Sequence, residues 1–182
     1  LQKGRWINDF YEPVEKGELK EWRKWVTELP SAPWGYGELG NGCKGKGLYP
    51  LVQGVKLMYV FRERCSNMRL ELVLDPAKTG GQGFGSAGQY LDVCVKLEET
   101  LLSGYGLRVM RTARAVDAVA AILVKYEGGI ARPISEKVYT SCFITGCHIL
   151  LEARGEVLMA EMFTEREIPP GKAWERQVRL EG

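Results

Sequence analysis

From residue 107 to residue 164 one pattern recurs: apolar runs of strand length, separated by short turns that carry glycine. Residues 107–111 (LRVMR) form a short run. Residues 116–126 (VDAVAAILVKY) form a long one, which Glu127-Gly128-Gly129 ends. Segments 137–144, 147–153 and 157–164 follow, with turn residues at Thr145-Gly146 and Arg154-Gly155. Short β-rich runs joined by tight turns predict antiparallel strands in a meander. The alanines also admit a helix over 112–124. A sheet of this size has an apolar face that some other element must cover.

Residues 89–102 (QYLDVCVKLEETLL) offer a candidate cover. Leu91, Val93, Cys94, Val95, Leu97, Leu101 and Leu102 lie nearly all round a helical cylinder, and Ser103-Gly104 supplies a stop signal. The spacing predicts a largely buried central helix, launched from the glycine cluster at 80–88 (GGQGFGSAG). Upstream, 55–61 (VKLMYVF) and 68–74 (MRLELVL) read as a hairpin turned by Arg64-Cys65-Ser66-Asn67, with apolar and charged residues alternating in the second strand. Residues 12–29 read as an amphipathic helix ended by Pro30, with Trp22 and Trp25 as packing anchors. The expected fold is therefore α+β: a curved antiparallel sheet wrapped around one long central helix, with an added N-terminal helix. The expected organisation is an N-terminal helix with a Gly-rich cover segment (1–49), the wrapped domain (50–168) and a polar tail (169–182).

At 182 residues the chain is long enough for one domain to bury a core without staples. A net charge of +2, from 25 basic and 23 acidic residues that are well mixed, gives no basic stripe, so nucleic acid is not an expected partner. No apolar run reaches the length of a membrane span. Five cysteines with no CxxC spacing speak against a disulfide framework and a structural zinc site, and one histidine, His148, cannot build a metal site alone. No metal and no cofactor are expected. Reduced thiols point to a cytoplasmic compartment, or to an organelle matrix if a leader has been removed. The lysines of residues 42–47 (GCKGKG) lack the Ser/Thr that a phosphate-binding loop uses for Mg²⁺.

Three stretches carry a resemblance: 68–76 followed by 83–88 (GFGSAG); 124–126 with 131–134 (ARPI); and 147–163. Their order and spacing resemble the hotdog-fold thioesterase superfamily, in its PaaI-like acyl-CoA thioesterase branch. The resemblance covers about residues 55–165. It implies an acyl thioester substrate, CoA- or carrier-bound, and a homo-oligomer, at least a homodimer. The family's catalytic His falls on Ser86, its glycine pair on Ala87 and Gly88, and its helix acid on Val95, which can neither polarise a water nor attack a carbonyl.

Relocated acids would then supply the chemistry. On a helix, Asp92, Glu98 and Glu99 project nearest to the Val95 direction, and a carboxylate serves as a general base wherever it holds the attacking water. Phe84, Gly85, Ser86, Ala87 and Gly88 are the expected substrate-binding segment, since amide groups at a helix start hold a carbonyl oxygen. Three functions stay open: acyl-thioester hydrolysis; non-hydrolytic chemistry in the same pocket (dehydratase, cyclase or isomerase); or a non-catalytic binding or assembly subunit.

Overall fold

The structure is a computed structural model that describes strands Trp22–Trp25 (β1), Trp34–Glu38 (β2), Lys46–Pro50 (β3) and Lys56–Tyr59 (β4), then residues 65–76, 84–98, 103–144, 146–164 and 175–182. It divides into two compact units, Leu1–Arg64 and Cys65–Gly182. In the first, β1 pairs with β4, Trp22 opposite Tyr59, and β2 pairs with β3, Trp34 opposite Pro50; both pairs are antiparallel.

The second unit is two antiparallel sheets. One has Tyr90–Val95 (β6) at its edge, followed by Gly104–Arg111 (β7) and Val119–Glu127 (β8). The far side of β8 is lined by Ile130–Pro133 (β9) and Val138–Thr140 (β10), which act as two halves of one interrupted strand. The interruption follows Pro133, a residue without an amide donor. Ile134 N–H still reaches Leu123 O (2.9 Å), and Leu123 N–H is taken by Ser135 Oγ (2.9 Å), so the ladder is patched rather than lost. Between β8 and β9, Gly128 and Gly129 both have positive φ (59° and 81°). That is the two-residue hairpin geometry matched to strand twist, and few other residues adopt it.

The other sheet runs Glu175–Glu181 (β13), Val157–Thr164 (β12), Cys147–Arg154 (β11) and Met68–Leu74 (β5). Ile149 faces Met162 on one side and Leu72 on the other. Each sheet turns one apolar face to the other. Leu107, Val109 and Leu123 from the first sheet meet Ile149, Leu151 and Met162 from the second, all at most 1% exposed. Each such side chain stabilises the fold by about 1.5–3 kcal/mol through burial. In β8 the whole run Val119–Val124 is buried, on both faces of the strand.

These observations correct the expected fold. Among the described residues there is no helix, so neither the central helix nor, where it is described, the N-terminal one exists. The α+β hotdog class is overturned in favour of a two-sheet antiparallel sandwich. The sequence YLDVCV alternates with period two: Leu91, Val93 and Val95 enter the core, while Tyr90, Asp92 and Cys94 face outward. Apolar residues at successive positions suggest an all-round apolar helix only if Cys94 is counted with the core. β6 ends where Lys96 adopts φ 52° and its N–H turns to Met68 Sδ (3.3 Å).

Three further readings change. Residues 22–25 are strand. The 55–61 segment pairs through β4 with β1, whereas β5 pairs with β11, so the two runs form no hairpin. The expected polar tail contains β13. The strands expected after residue 106 are present at nearly the expected positions, although β10 joins the first sheet instead of continuing the β11–β12 hairpin.

Candidate functional site

The outward face of β6–β7–β8 carries a polar cluster built from three strands. Period two places Tyr90, Asp92 and Cys94 on this face of β6, and register places Met110, Arg108 and Gly106 directly opposite them on β7. Asp92 receives Arg108 Nε on Oδ1 and Arg108 Nη2 on Oδ2, both at 2.8 Å. This fork-to-fork geometry is the strongest form of carboxylate–guanidinium contact. A third donor, the Tyr126 hydroxyl, gives a short hydrogen bond to Oδ2, and the Cys94 thiol lies 3.9 Å from that hydroxyl.

Tyr126 belongs to β8, two strands from Asp92. Its ring reaches across β7 because Gly104 and Gly106 leave a strip without side chains. At Gly106 the absence is obligatory: a Cβ there would stand 2.9 Å from Val93 O and 3.1 Å from Cys94 Sγ. Arg108 in turn lies over the Tyr90 ring, 4.0 Å from its centroid. The Asp92–Arg108 pair is largely covered, while Tyr90 at the sheet edge is 56% exposed.

The electrostatics follow from this geometry. Hydrogen bonding to Asp92 outweighs the cost of burial and holds the Arg108 guanidinium firmly protonated. Burial, reinforced by Cys94 and Asp92, pushes the Tyr126 phenol well above its usual range, so it remains a neutral donor. A mutually neutralised ion pair, a neutral phenol and an exposed ring are equipment for holding a molecule.

Of the expected catalytic residues, Asp92 sits in this cluster, on a strand and held by three donors. Glu98 lies past the far end of β6, exposed, with its amide bonded to Ser103 O (3.0 Å); Glu99 lies outside the described residues. The expected substrate-binding segment is a turn rather than a helix start. Gln89 Oε1 accepts the N–H groups of Gly85 (2.7 Å) and Ser86 (3.2 Å), and Gly88 N–H goes to Arg111 O (2.9 Å). These amides are committed within the protein. Ala87 is exposed, and Phe84 stacks on Phe143 with centroids 5.2 Å apart. The segment and Glu98 therefore flank opposite ends of β6 and do not converge on Asp92. Val95 is a core residue at 3% exposure.

The sequence reading missed Tyr90, Cys94, Arg108 and Tyr126. A period-two reading of 90–95 against 104–111 would have put the first three on one face. The long reach of Tyr126 had no local signal beyond the Gly-x-Gly of 104–106.

Elsewhere, Glu127 bridges Lys125 (2.9 Å) and Arg132 (3.2 Å) at the exposed β8–β9 hairpin, which lowers the Glu127 pKa and raises that of Lys125. His148 stacks on Phe163 at 4.8 Å. Among the described residues no three His, Cys, Asp or Glu side chains gather to hold a metal ion, and no helix is long and apolar enough to cross a membrane. Comparison of the chain with protein-family models, with curated proteins and with solved structures finds no match.

Proposed function

We propose that the Cys65–Gly182 sandwich is a non-catalytic recognition module. It holds a neutral, hydroxyl-bearing ligand, the class to which sugars belong, against the outward face of β6 and β7. The observation that carries this reading is the exposed Tyr90 ring, braced on one face by Arg108 at 4.0 Å, which Asp92 fixes in turn. A sugar ring has an apolar C–H face and a hydroxyl edge. An aromatic ring suits the first, and the remaining N–H groups of a fixed guanidinium suit the second. A charged ligand gains little here, because Asp92 already neutralises Arg108.

Acyl-thioester processing, the alternative implied by the resemblance, lacks geometric support: its argument required a helix start whose amides are free. Titration calorimetry with a panel of neutral oligosaccharides, and with an acyl-CoA as comparison, tests the proposal. Saturable oligosaccharide binding that weakens about tenfold or more in Tyr90→Ala, equivalent to ~1.4 kcal/mol, supports it. Binding of no saccharide, or binding indifferent to Tyr90, overturns it. Turnover of the acyl-CoA would restore the enzymatic alternative.

A further inference from the structure

We propose that the ligand is a linear neutral oligosaccharide, lying across the strands of the first sheet with one sugar on Tyr90 and another on Tyr139, an inference that rests on Tyr90 being a sugar platform. Tyr90 and Tyr139 are the two aromatic side chains left exposed among the described residues, at 56% and 40%. Both lie on one rung of the sheet. Tyr90 is opposite Met110, Met110 is opposite Ala120, and Ala120 is opposite Tyr139. Residues directly opposite in an antiparallel pair share a face. Both rings therefore stand on the outward face, while their chain neighbours Leu91 and Val138 pack against the core. Three strand spacings separate them, about 14 Å between Cα atoms.

The two rings are also built alike. Arg108 lies 4.0 Å from the Tyr90 centroid, and Arg114 lies 4.1 Å from that of Tyr139. Each arginine is held by its own surroundings. Asp92 grips the Arg108 guanidinium, whereas Arg114 sits in the β7–β8 connection, where Thr112 Oγ1 accepts its backbone N–H (3.3 Å). That hydroxyl donates to Ala118 O (2.9 Å), and Thr112 N–H closes the same loop on Ala118 O (2.7 Å). A guanidinium over an aromatic face is attracted to it and steadies the ring. A ring steadied before binding loses little freedom when a ligand stacks on it.

This arrangement selects a chain over a single sugar, which can cover only one ring. Between the platforms the rung is low and uncharged: Met110 is half-buried and Ala120 fully buried. A sugar unit in an extended chain is about as long as one strand spacing, so roughly four units set a sugar on each tyrosine. The N–H groups of Arg108 that Asp92 does not take, and those of Arg114, suit the hydroxyl edges. Once one sugar is seated, the second platform is engaged as an intramolecular event, which raises affinity without a new kind of contact.

Titration calorimetry with cello-, xylo- and malto-oligosaccharides, from the disaccharide to the hexasaccharide, tests this on the parent, Tyr90→Ala, Tyr139→Ala and Tyr139→Phe. In a series that binds, parent affinity should rise about tenfold or more between disaccharide and tetrasaccharide. Tyr139→Ala should bind the tetrasaccharide no better than the parent binds the disaccharide, whereas Tyr139→Phe, which keeps the ring, should retain the rise. An affinity that does not grow with length, or that grows equally in Tyr139→Ala, overturns the second platform; if Tyr90→Ala still weakens binding, the first platform stands. Binding of no saccharide overturns both.

Discussion

Asp92 on β6 and Arg108 on β7 face each other across one rung of the ladder and bond through both carboxylate oxygens at 2.8 Å. Their side chains are only 14% and 22% exposed, so the pair is worth more than a surface ion pair and less than a fully buried one. Asp92→Ala should cost about 2 kcal/mol, mostly by leaving the largely covered Arg108 guanidinium without its carboxylate. Arg108→Gln combined with Asp92→Asn should cost less than the sum of the single changes. Urea denaturation of the four proteins of this double-mutant cycle measures the coupling.

Tyr126 gives the cluster a pH signature. Below the ordinary phenol value, near 10, the group is protonated in folded and unfolded chains alike, and its contribution is complete. Above that value the unfolded chain releases the proton while the folded one keeps it, so stability falls as pH rises, by up to about 1.4 kcal/mol per pH unit. Urea midpoints from pH 8 to pH 11 should decline more steeply in the wild type than in Tyr126→Phe. Parallel profiles would remove the cluster's hold on the phenol.

Gly106 lies opposite Cys94, whose thiol stands 3.9 Å from the Tyr126 hydroxyl. Gly106→Ala places a methyl 2.9 Å from a backbone oxygen that cannot swing away, and should cost about 1–3 kcal/mol. It should also flatten the alkaline profile towards that of Tyr126→Phe, which a purely local clash would leave intact.

The sandwich interface is tested by two apolar residues on neighbouring strands. Leu151 is fully buried, and Leu151→Ala should cost about 2–5 kcal/mol. Val73 lies on the outward face of β5 and is 52% exposed, so Val73→Ala should stay within about 0.5 kcal/mol of the parent. Thermal melts of the two variants distinguish the faces. Equal losses would mean that the β5–β11 register is misassigned.

Much of the second unit was legible in the sequence because its signals are local. The Arg154-Gly155 turn and the strand run after it were read at their observed places, whereas Gly128-Gly129 was read only as the end of a run and not as a hairpin into β9. Residues 89–102 misled because a strand that lends one face to a core and carries Cys94 on the other looks apolar all round when read at helical spacing. The preceding glycine cluster reinforced that reading, since a glycine turn before a helix and one before a strand contain the same residues. Pairing was the least legible level. Nothing in Met68–Leu74 names β11, some 70 residues later, as its neighbour in preference to the nearer 55–61. Asp92 was singled out for a helix geometry it does not have, and its partners Arg108 and Tyr126 become visible only once the three strands are aligned.

Everything proposed about the cluster depends on residues 90–95 being a strand beside β7. Backbone nuclear Overhauser contacts in isotopically labelled protein test this most directly. The account predicts strong contacts from each Hα to the following amide across Tyr90–Val95, with cross-strand contacts joining Asp92 to Arg108 and Cys94 to Gly106. A ladder of contacts between residues three apart over 89–102, without those cross-strand contacts, would show a helix there and contradict it.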